Sequence, residues 1–370
     1  MPSMSSKAGL RIAYAIVLGL ATLALLEVAV RALRMELGPL VAANNWPCVF
    51  EPDPETGYRY IPNASGHFIR HFEIDRTIEI NSEGYHDFER KTDARPVRVL
   101  AVGDSFTAAL ELNLDQSWPN VAESELQRLL AQPDFEVLNI GLDGTGTNAH
   151  LALLRDALER HQPEVVMLAF SATDPGDVSR PVRYRACKDD NVLVYQDEQQ
   201  RRLLERYVER ERPRGIAKWM FDHVYLFRIA LWPVDSADLF RLNAPRYSSA
   251  DTGITPRPDP EVTHAIDFFL RQISDLAAER DFTLMTLPIP MREGANTSIQ
   301  ALKDNVPKDL LVRLNVIDTA AAITQMIAAD AVDYDSLYWR YDDHLNSLGY
   351  FYLGRIAAKR IAAELEQTDH

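Results

Sequence analysis

A chain of 370 residues that is 46% hydrophobic and 25% charged can bury one large core or two modest ones, and its composition does not suggest disorder. The formal net charge of −15 argues against a phosphate-backbone binder, which needs clustered Lys and Arg to displace counterions, so nucleic acid is not an expected partner. Two cysteines, Cys48 and Cys187, are too few for a disulfide scaffold and lack the CxxC spacing of a zinc site; one disulfide in an oxidising compartment and two unrelated thiols are equally open readings.

The N-terminus is not globular. From Ile12 to Leu26 every residue is apolar, small or aromatic, and Val28-Ala29-Val30 extends the stretch past Glu27. At about 1.5 Å per residue such a helix reaches roughly 28 Å, the thickness of a bilayer hydrocarbon core. Lys7 and Arg11 precede it and Arg31 and Arg34 follow, so charge bias alone does not fix its orientation. Residues 1–35 are therefore expected to be a tail and a single-pass anchor in the cell inner membrane, with the lipid bilayer as a partner and the remainder extracytoplasmic, in the periplasm. A cleaved signal peptide is the second reading.

Residues 36–96 read as a connector and a small β-rich extension. Met35 to Asn45 is the connector; Phe68–Ile74 and Thr77–Ile80 alternate as half-buried strands do, and Asn81-Ser82-Glu83-Gly84 supplies a turn. From Val97 the pattern changes to short apolar strands alternating with helical segments. Strands are expected at Val97–Val102, Phe135–Asn139, Val165–Phe170, Phe282–Leu287 and Leu314–Ile317, apolar on both faces as buried parallel strands are. Ser117-Trp118-Pro119 opens a helix to about Ala131, Asn148 caps another to about His161, and Pro260 starts a third, to about Arg280, with Phe268, Phe269, Ile273 and Leu276 inward. The last helix follows Asn346 and turns Tyr350, Leu353, Ile356, Ala357 and Ile361 inward. The expected fold class is α/β, a three-layer doubly wound, flavodoxin-like sheet of about five parallel strands over residues 97–370, interrupted by an insertion at about 178–258. That insertion, with Trp219, Phe221, Tyr225, Phe227 and Trp232, reads equally as a lid or glycan-binding wall and as a packing helix.

Chemistry concentrates at two places. Gly103-Asp104-Ser105-Phe106 follows the first strand of this domain, and Asp342-Asp343-His344-Leu345-Asn346 lies near the far end of the chain. A serine hydroxyl at the C-terminal edge of a buried strand, with an imidazole and a carboxylate from a distant loop, is the minimum equipment for nucleophilic acyl transfer. Gly-Asp-Ser alone is weak, occurring by chance in roughly one protein in ten of this length. Its position at a strand end gives it weight. The pattern resembles the SGNH/GDSL hydrolase superfamily, over roughly Val97 to Ile361 without the insertion.

That resemblance implies roles. Ser105 would be the nucleophile, His344 the base, and Asp342 the orienting carboxylate, with Asp343 as fallback. The second block, an Asn at a strand end with a Gly after it, matches Asn139 and Gly144, with Gly141 a close competitor; the oxyanion hole would be the amides of Ser105 and Gly144. In the third block, usually Gly-x-Asn-Asp, this chain has Ser171-Ala172-Thr173-Asp174. Thr173 would replace the Asn as donor, or, on a slip of one residue, Asp174 would stand there and repel an oxyanion. Asp104 reads as a structural residue of the turn. His150, His161, His223 and His264 lack ligand spacing, and neither metal nor cofactor is expected. The resemblance and the anchor together imply an esterase acting on an acylated small molecule or polysaccharide, with O-acetyl groups of an envelope or exported polysaccharide as the expected substrate. The alternatives are an acyltransferase with the same triad and a non-catalytic carbohydrate-binding or envelope-assembly protein on the same fold.

Overall fold

The computed structural model of the chain describes residues 4–32, 47–70, 74–90, 98–178, 184–188, 191–195, 216, 219, 224, 259–340 and 342–368. The chain divides into two compact units, Met1–Asn44 with Glu205–Ser248, and Asn45–Leu204 with Ser249–His370. The first contains helix α1 (Met4–Ala32), in which Arg11–Ala29, 19 residues with mean hydropathy 2.2, is long and apolar enough to cross a membrane. Those properties suit a membrane span and a signal sequence alike. The expected connector at Met35–Asn45 and most of the expected insertion lie outside the described residues.

The second unit begins with two antiparallel hairpins, β1 (Phe50–Asp53) with β2 (Gly57–Tyr60), and β3 (Ser65–Arg70) with β4 (Ile74–Glu79). Their inward residues Phe50, Tyr58, Tyr60, Phe68, Ile74 and Ile78 form one core with Ala108, Leu110 and Leu142 of the following domain. The extension is thus packed directly on the segments that carry Ser105 and Gly144. Cys48, just ahead of β1, is disulfide-bonded.

The main sheet has β5 (Val99–Val102), β6 (Val137–Asn139) and β7 (Val165–Phe170). A separate hairpin, β8 (Tyr184–Lys188) with β9 (Asn191–Tyr195), follows before the sheet resumes at β10 (Thr283–Pro288). The order is β10-β7-β5-β6, all parallel. This is the flavodoxin-like order, and its reversal point lies between β5 and β7. Helices cover both faces: α2 (Ser105–Ala108), α3 (Trp118–Leu129), α4 (Thr147–Arg160), α5 (Asp174–Val178), α6 (Pro260–Arg280), α7 (Thr297–Asn305), α8 (Lys308–Arg313), α9 (Thr319–Ala329) and α10 (Ser347–Thr368). Because strand residues alternate in direction, Val99, Ala101, Met167 and Ala169 join a core with α3, α9 and α10. Leu100, Val102, Val166 and Leu168 join the opposite core with α4, α6, α7 and α8.

Three expectations are corrected. The fifth strand, Leu314–Ile317, is reduced to one parallel bridge between Val316 and Thr286, because Leu314 is still the C-cap of α8 and Asn315 takes a left-handed φ of 46°. Phe268 is 50% exposed: the buried stripe of α6 runs through Ile266, Leu270, Ile273 and Ala277, a spacing that leaves position 268 facing out. The N-cap of α4 is Gly146, and Asn148 lies inside the helix.

Candidate active site

The chain leaves β5 through Gly103 and turns at once into α2, whose first residue is Ser105. The Asp104 side chain caps this short helix by accepting from the Phe106 amide at 3.0 Å. Ser105 therefore stands at the C-terminal rim of the sheet, beside the β5/β7 reversal where open α/β sheets bind ligands. Its own amide belongs to the first turn of a helix, whose N–H groups have no intrahelical acceptor.

The distant loop reaches this point from the start of α10. Asn346 fixes it: its side-chain amide donates to Ser336 O at 2.8 Å and Tyr338 O at 2.9 Å, while its side-chain oxygen accepts from Leu348 N and Gly349 N. Arg292, after β10, donates to the carbonyls of Trp339 and Arg340. The loop then places His344 Nε2 2.7 Å from Ser105 Oγ. On the other side of the ring, His344 Nδ1 lies 2.5 Å from Asp342 Oδ1, which also accepts the His344 backbone amide at 2.8 Å. Asp342 is 1% exposed, and the Phe106 ring packs against the imidazole, tilted by 34°, at 4.6 Å between centroids. Asp343, the fallback carboxylate, instead faces Arg292 at 3.6 Å.

The structure joins Ser105, His344 and Asp342 in one hydrogen-bonded line.

The remaining expected donors separate on geometry. Asn139 bonds to Thr107 O at 2.9 Å and accepts from the Gly141 amide at 3.0 Å, so the Gly141 N–H is already engaged. Gly144 sits in the turn after β6 with φ of 69°, a conformation that suits glycine. Thr173 is placed differently from the expectation. Its hydroxyl lies 2.6 Å from Ser171 Oγ and 3.3 Å from Asp104 Oδ2, so its single proton has acceptors within that group rather than standing free for an oxyanion. Asp174 is fully buried and bonds back to Ser171, from whose amide it accepts at 3.3 Å.

Several residues with a part in the site were not singled out from the sequence. Ser171 donates to Asp104 Oδ2 at 2.7 Å, tying the ends of β5 and β7 together. Burial pushes Asp104 up to about 6, with the Ser171 and Phe106 hydrogen bonds pulling the other way, and burial with the Asp104 and Asp177 charges holds Asp174 well above the usual carboxylate range. Asp87 accepts from Asn139 N at 2.8 Å and Asn120 Nδ2 at 2.9 Å, and His86 Nδ1 lies 2.7 Å from Ala108 O. Glu111, fully buried, places Oε1 3.8 Å from His344 Nδ1. A lone acid inside Ala108-Ala109-Leu110-Glu111-Leu112 was the one sequence signal that could have found it. His161 bonds to Glu83 at 2.9 Å, His150 is fully buried, and His223 lies outside the described residues. Within those residues, Glu111, Asp342 and His344 form the group whose ligand atoms all lie within 4.8 Å, and they belong to the Ser105 site itself.

No family model matches the chain. A curated arylesterase from Vibrio mimicus is 31% identical over 77 residues, which is 21% of this chain and 38% of that protein, so the match spans well under half the relative's length. Similar solved structures include the lipase/acylhydrolase from Enterococcus faecalis, at 14% identity over 72% of this chain and 97% of that one, TM-score 0.37. A catalytic mutant of an acetylxylan esterase from Geobacillus stearothermophilus aligns at 13% identity over 72% and 94%, TM-score 0.36. A protein assigned to the G-D-S-L lipolytic family, from Desulfitobacterium hafniense, aligns at 12% identity over 71% and 98%, TM-score 0.32. The chain is similar to GDSL and SGNH hydrolases.

Proposed function

We propose that this protein is a serine carboxylic ester hydrolase of the SGNH kind, anchored to the membrane by α1. The observation that carries this reading is the hydrogen-bonded line from Ser105 Oγ through His344 to Asp342. In the reaction, His344 Nε2 removes the Ser105 proton as Oγ attacks the ester carbonyl, and Asp342 holds the opposite nitrogen as the N–H tautomer and supports the imidazolium. The tetrahedral oxyanion is received by the amides of Ser105 and Gly144. Its collapse breaks the C–O bond to the alcohol, which leaves with the proton from His344, and Ser105 keeps the acyl group. Water, deprotonated by His344, then releases the acid and restores Ser105.

The likeness to an arylesterase supports ester substrates. The bonded Cys48 and the apolar α1 support a domain outside the cytoplasm, where disulfides persist. On that basis we take the substrates to be O-acyl, chiefly O-acetyl, esters of envelope or exported polysaccharide, and the location to be the periplasmic face of the inner membrane. Thr173 acts in this scheme by holding Asp104 and Ser171 rather than by binding the oxyanion.

The test is turnover of p-nitrophenyl acetate by the full chain in detergent, beside Ser105→Ala, with intact-mass detection of a fluorophosphonate adduct. The expected result is one adduct on the wild type, none on the variant, and a loss of at least about 10⁴-fold in kcat. Equal rates for both proteins refute it.

A further inference from the structure

We propose that Glu111 is a second carboxylate for His344 Nδ1, a positioning residue that keeps the imidazole in its productive tautomer together with Asp342. This rests on the esterase reading of the same site. Glu111 follows α2 by a few residues and is fixed between Leu110 and Leu112, both buried in different cores. Its carboxylate is fully enclosed and directed at the face of the imidazole that Ser105 does not use, 3.8 Å from Nδ1. Asp342, at 2.5 Å, takes the hydrogen bond, and the Glu111 oxygen stands beside it, within 4.8 Å of both.

The physical consequence is tautomer selection. A neutral imidazole carries its proton on one nitrogen and a lone pair on the other. A lone pair at Nδ1 would face two carboxylates at once, an arrangement that both disfavour. The proton therefore stays on Nδ1, and the lone pair is left at Nε2, where Ser105 needs it. When Nε2 takes the Ser105 proton, the positive ring lies against the same two groups. Among the described residues, further charges act on this group: Asp104, which feels the His344 charge from the Ser105 turn, and half-buried Arg76 from β4, which feels both Glu111 and Asp115. Arg292, after β10, pairs with Asp343, which lies between Asp342 and His344 in the loop. If Glu111 shares the Nδ1 role, removing Asp342 leaves a carboxylate one side-chain movement away from the vacant position.

The experiment is a double-mutant cycle on the full-length chain in detergent, with kcat/KM for p-nitrophenyl acetate measured for wild type, Glu111→Gln, Asp342→Ala and the double variant, above the Ser105→Ala background. Loss of the orienting carboxylate from a serine triad costs about 10⁴-fold. The expected losses are about tenfold for Glu111→Gln, only about 10²-fold for Asp342→Ala, and about 10⁴-fold for the double variant. Imidazole nitrogen NMR of histidine-labelled protein gives a readout that packing alone does not move: His344 keeps its proton on Nδ1 in Asp342→Ala and shifts it to Nε2 in the double variant. Asp342→Ala as impaired as the double variant, or with Nδ1 already bare, overturns the proposal, whatever Glu111→Gln does to stability. A wild type no faster than Ser105→Ala would remove the esterase reading instead, and the tautomer comparison, which needs no turnover, would then decide the role of Glu111 by itself.

Discussion

Gly141→Ala isolates how tightly the turn that carries Ser105 is held. A Cβ at Gly141 would lie 2.4 Å from Ala108 N and 2.7 Å from the Thr107 carbonyl carbon, both backbone atoms of α2. Ordinary Cβ contacts begin near 3.4 Å, so one backbone must retreat from the other by about 1 Å. The retreating piece is α2, which carries Ser105 and the Phe106 ring packed against His344. Overpacking of this kind costs about 1–3 kcal/mol, and a misplacement of about 1 Å at a reacting atom costs on the order of 10² in rate. In a domain of this size about 2 kcal/mol lowers Tm by roughly 4–8 °C. The expected outcome is a fall of about 100-fold in kcat with KM changed far less, accompanied by that Tm loss, read from p-nitrophenyl acetate kinetics and differential scanning fluorimetry. A variant with wild-type kcat and unchanged Tm would refute the claim that α2 is fixed by its contact with the β6 turn.

Other outcomes follow from the buried polar groups and the loop. Burial depresses the His150 pKa to about 3, so as pH falls below 6.5 the unfolded chain takes a proton that the folded one refuses, and stability is lost from that point downward. His150→Leu removes this loss, and its unfolding free energy in urea is expected to improve on wild type by about 2 kcal/mol more at pH 5 than at pH 7; a difference independent of pH counts against it. Ser171→Ala takes a hydrogen bond from Asp104, whose raised pKa of about 6 makes it a carboxylate chiefly above that pH. The variant is expected to lose about 1–3 kcal/mol at pH 8 and distinctly less at pH 5, measured by urea unfolding at both. Arg292→Ala frees the Trp339 and Arg340 carbonyls and loosens the histidine loop, so kcat is expected to drop about tenfold with the fluorophosphonate labelling rate falling in parallel; unchanged labelling argues that Asn346 alone fixes the loop.

The sheet and the positions of Ser105 and His344 were legible because they rest on local signals. Val165–Phe170 is apolar on both faces, and the strand matches the expectation residue for residue. Pro260 and Arg280 bound α6 as expected, since Pro at the first turn and a preceding Asp are strong start signals. What escaped was set by tertiary contact. The stub at Val316 looks like a strand in sequence, yet α8 runs into it and leaves room for one bridge. Thr173 has the right spacing for an oxyanion donor, but Ser171, two residues before it, and Asp104, from the end of β5, take up its hydroxyl. Glu111 is separated from His344 by most of the domain sequence, and only folding makes them neighbours.

On the proposed mechanism, the order in which the chain is made has a consequence for Ser105. Ser105 and His344 are 239 residues apart, and His344 stands at the foot of the last helix. At ordinary translation speeds of about 5–20 residues per second, the imidazole emerges roughly ten to fifty seconds after the hydroxyl it must activate. Throughout that interval the nascent polypeptide carries a serine without its base, so the hydroxyl stays inert while the strands around it assemble. On that proposal the nucleophile is armed only after the loop ahead of α10 has been made and α10 docks against α3.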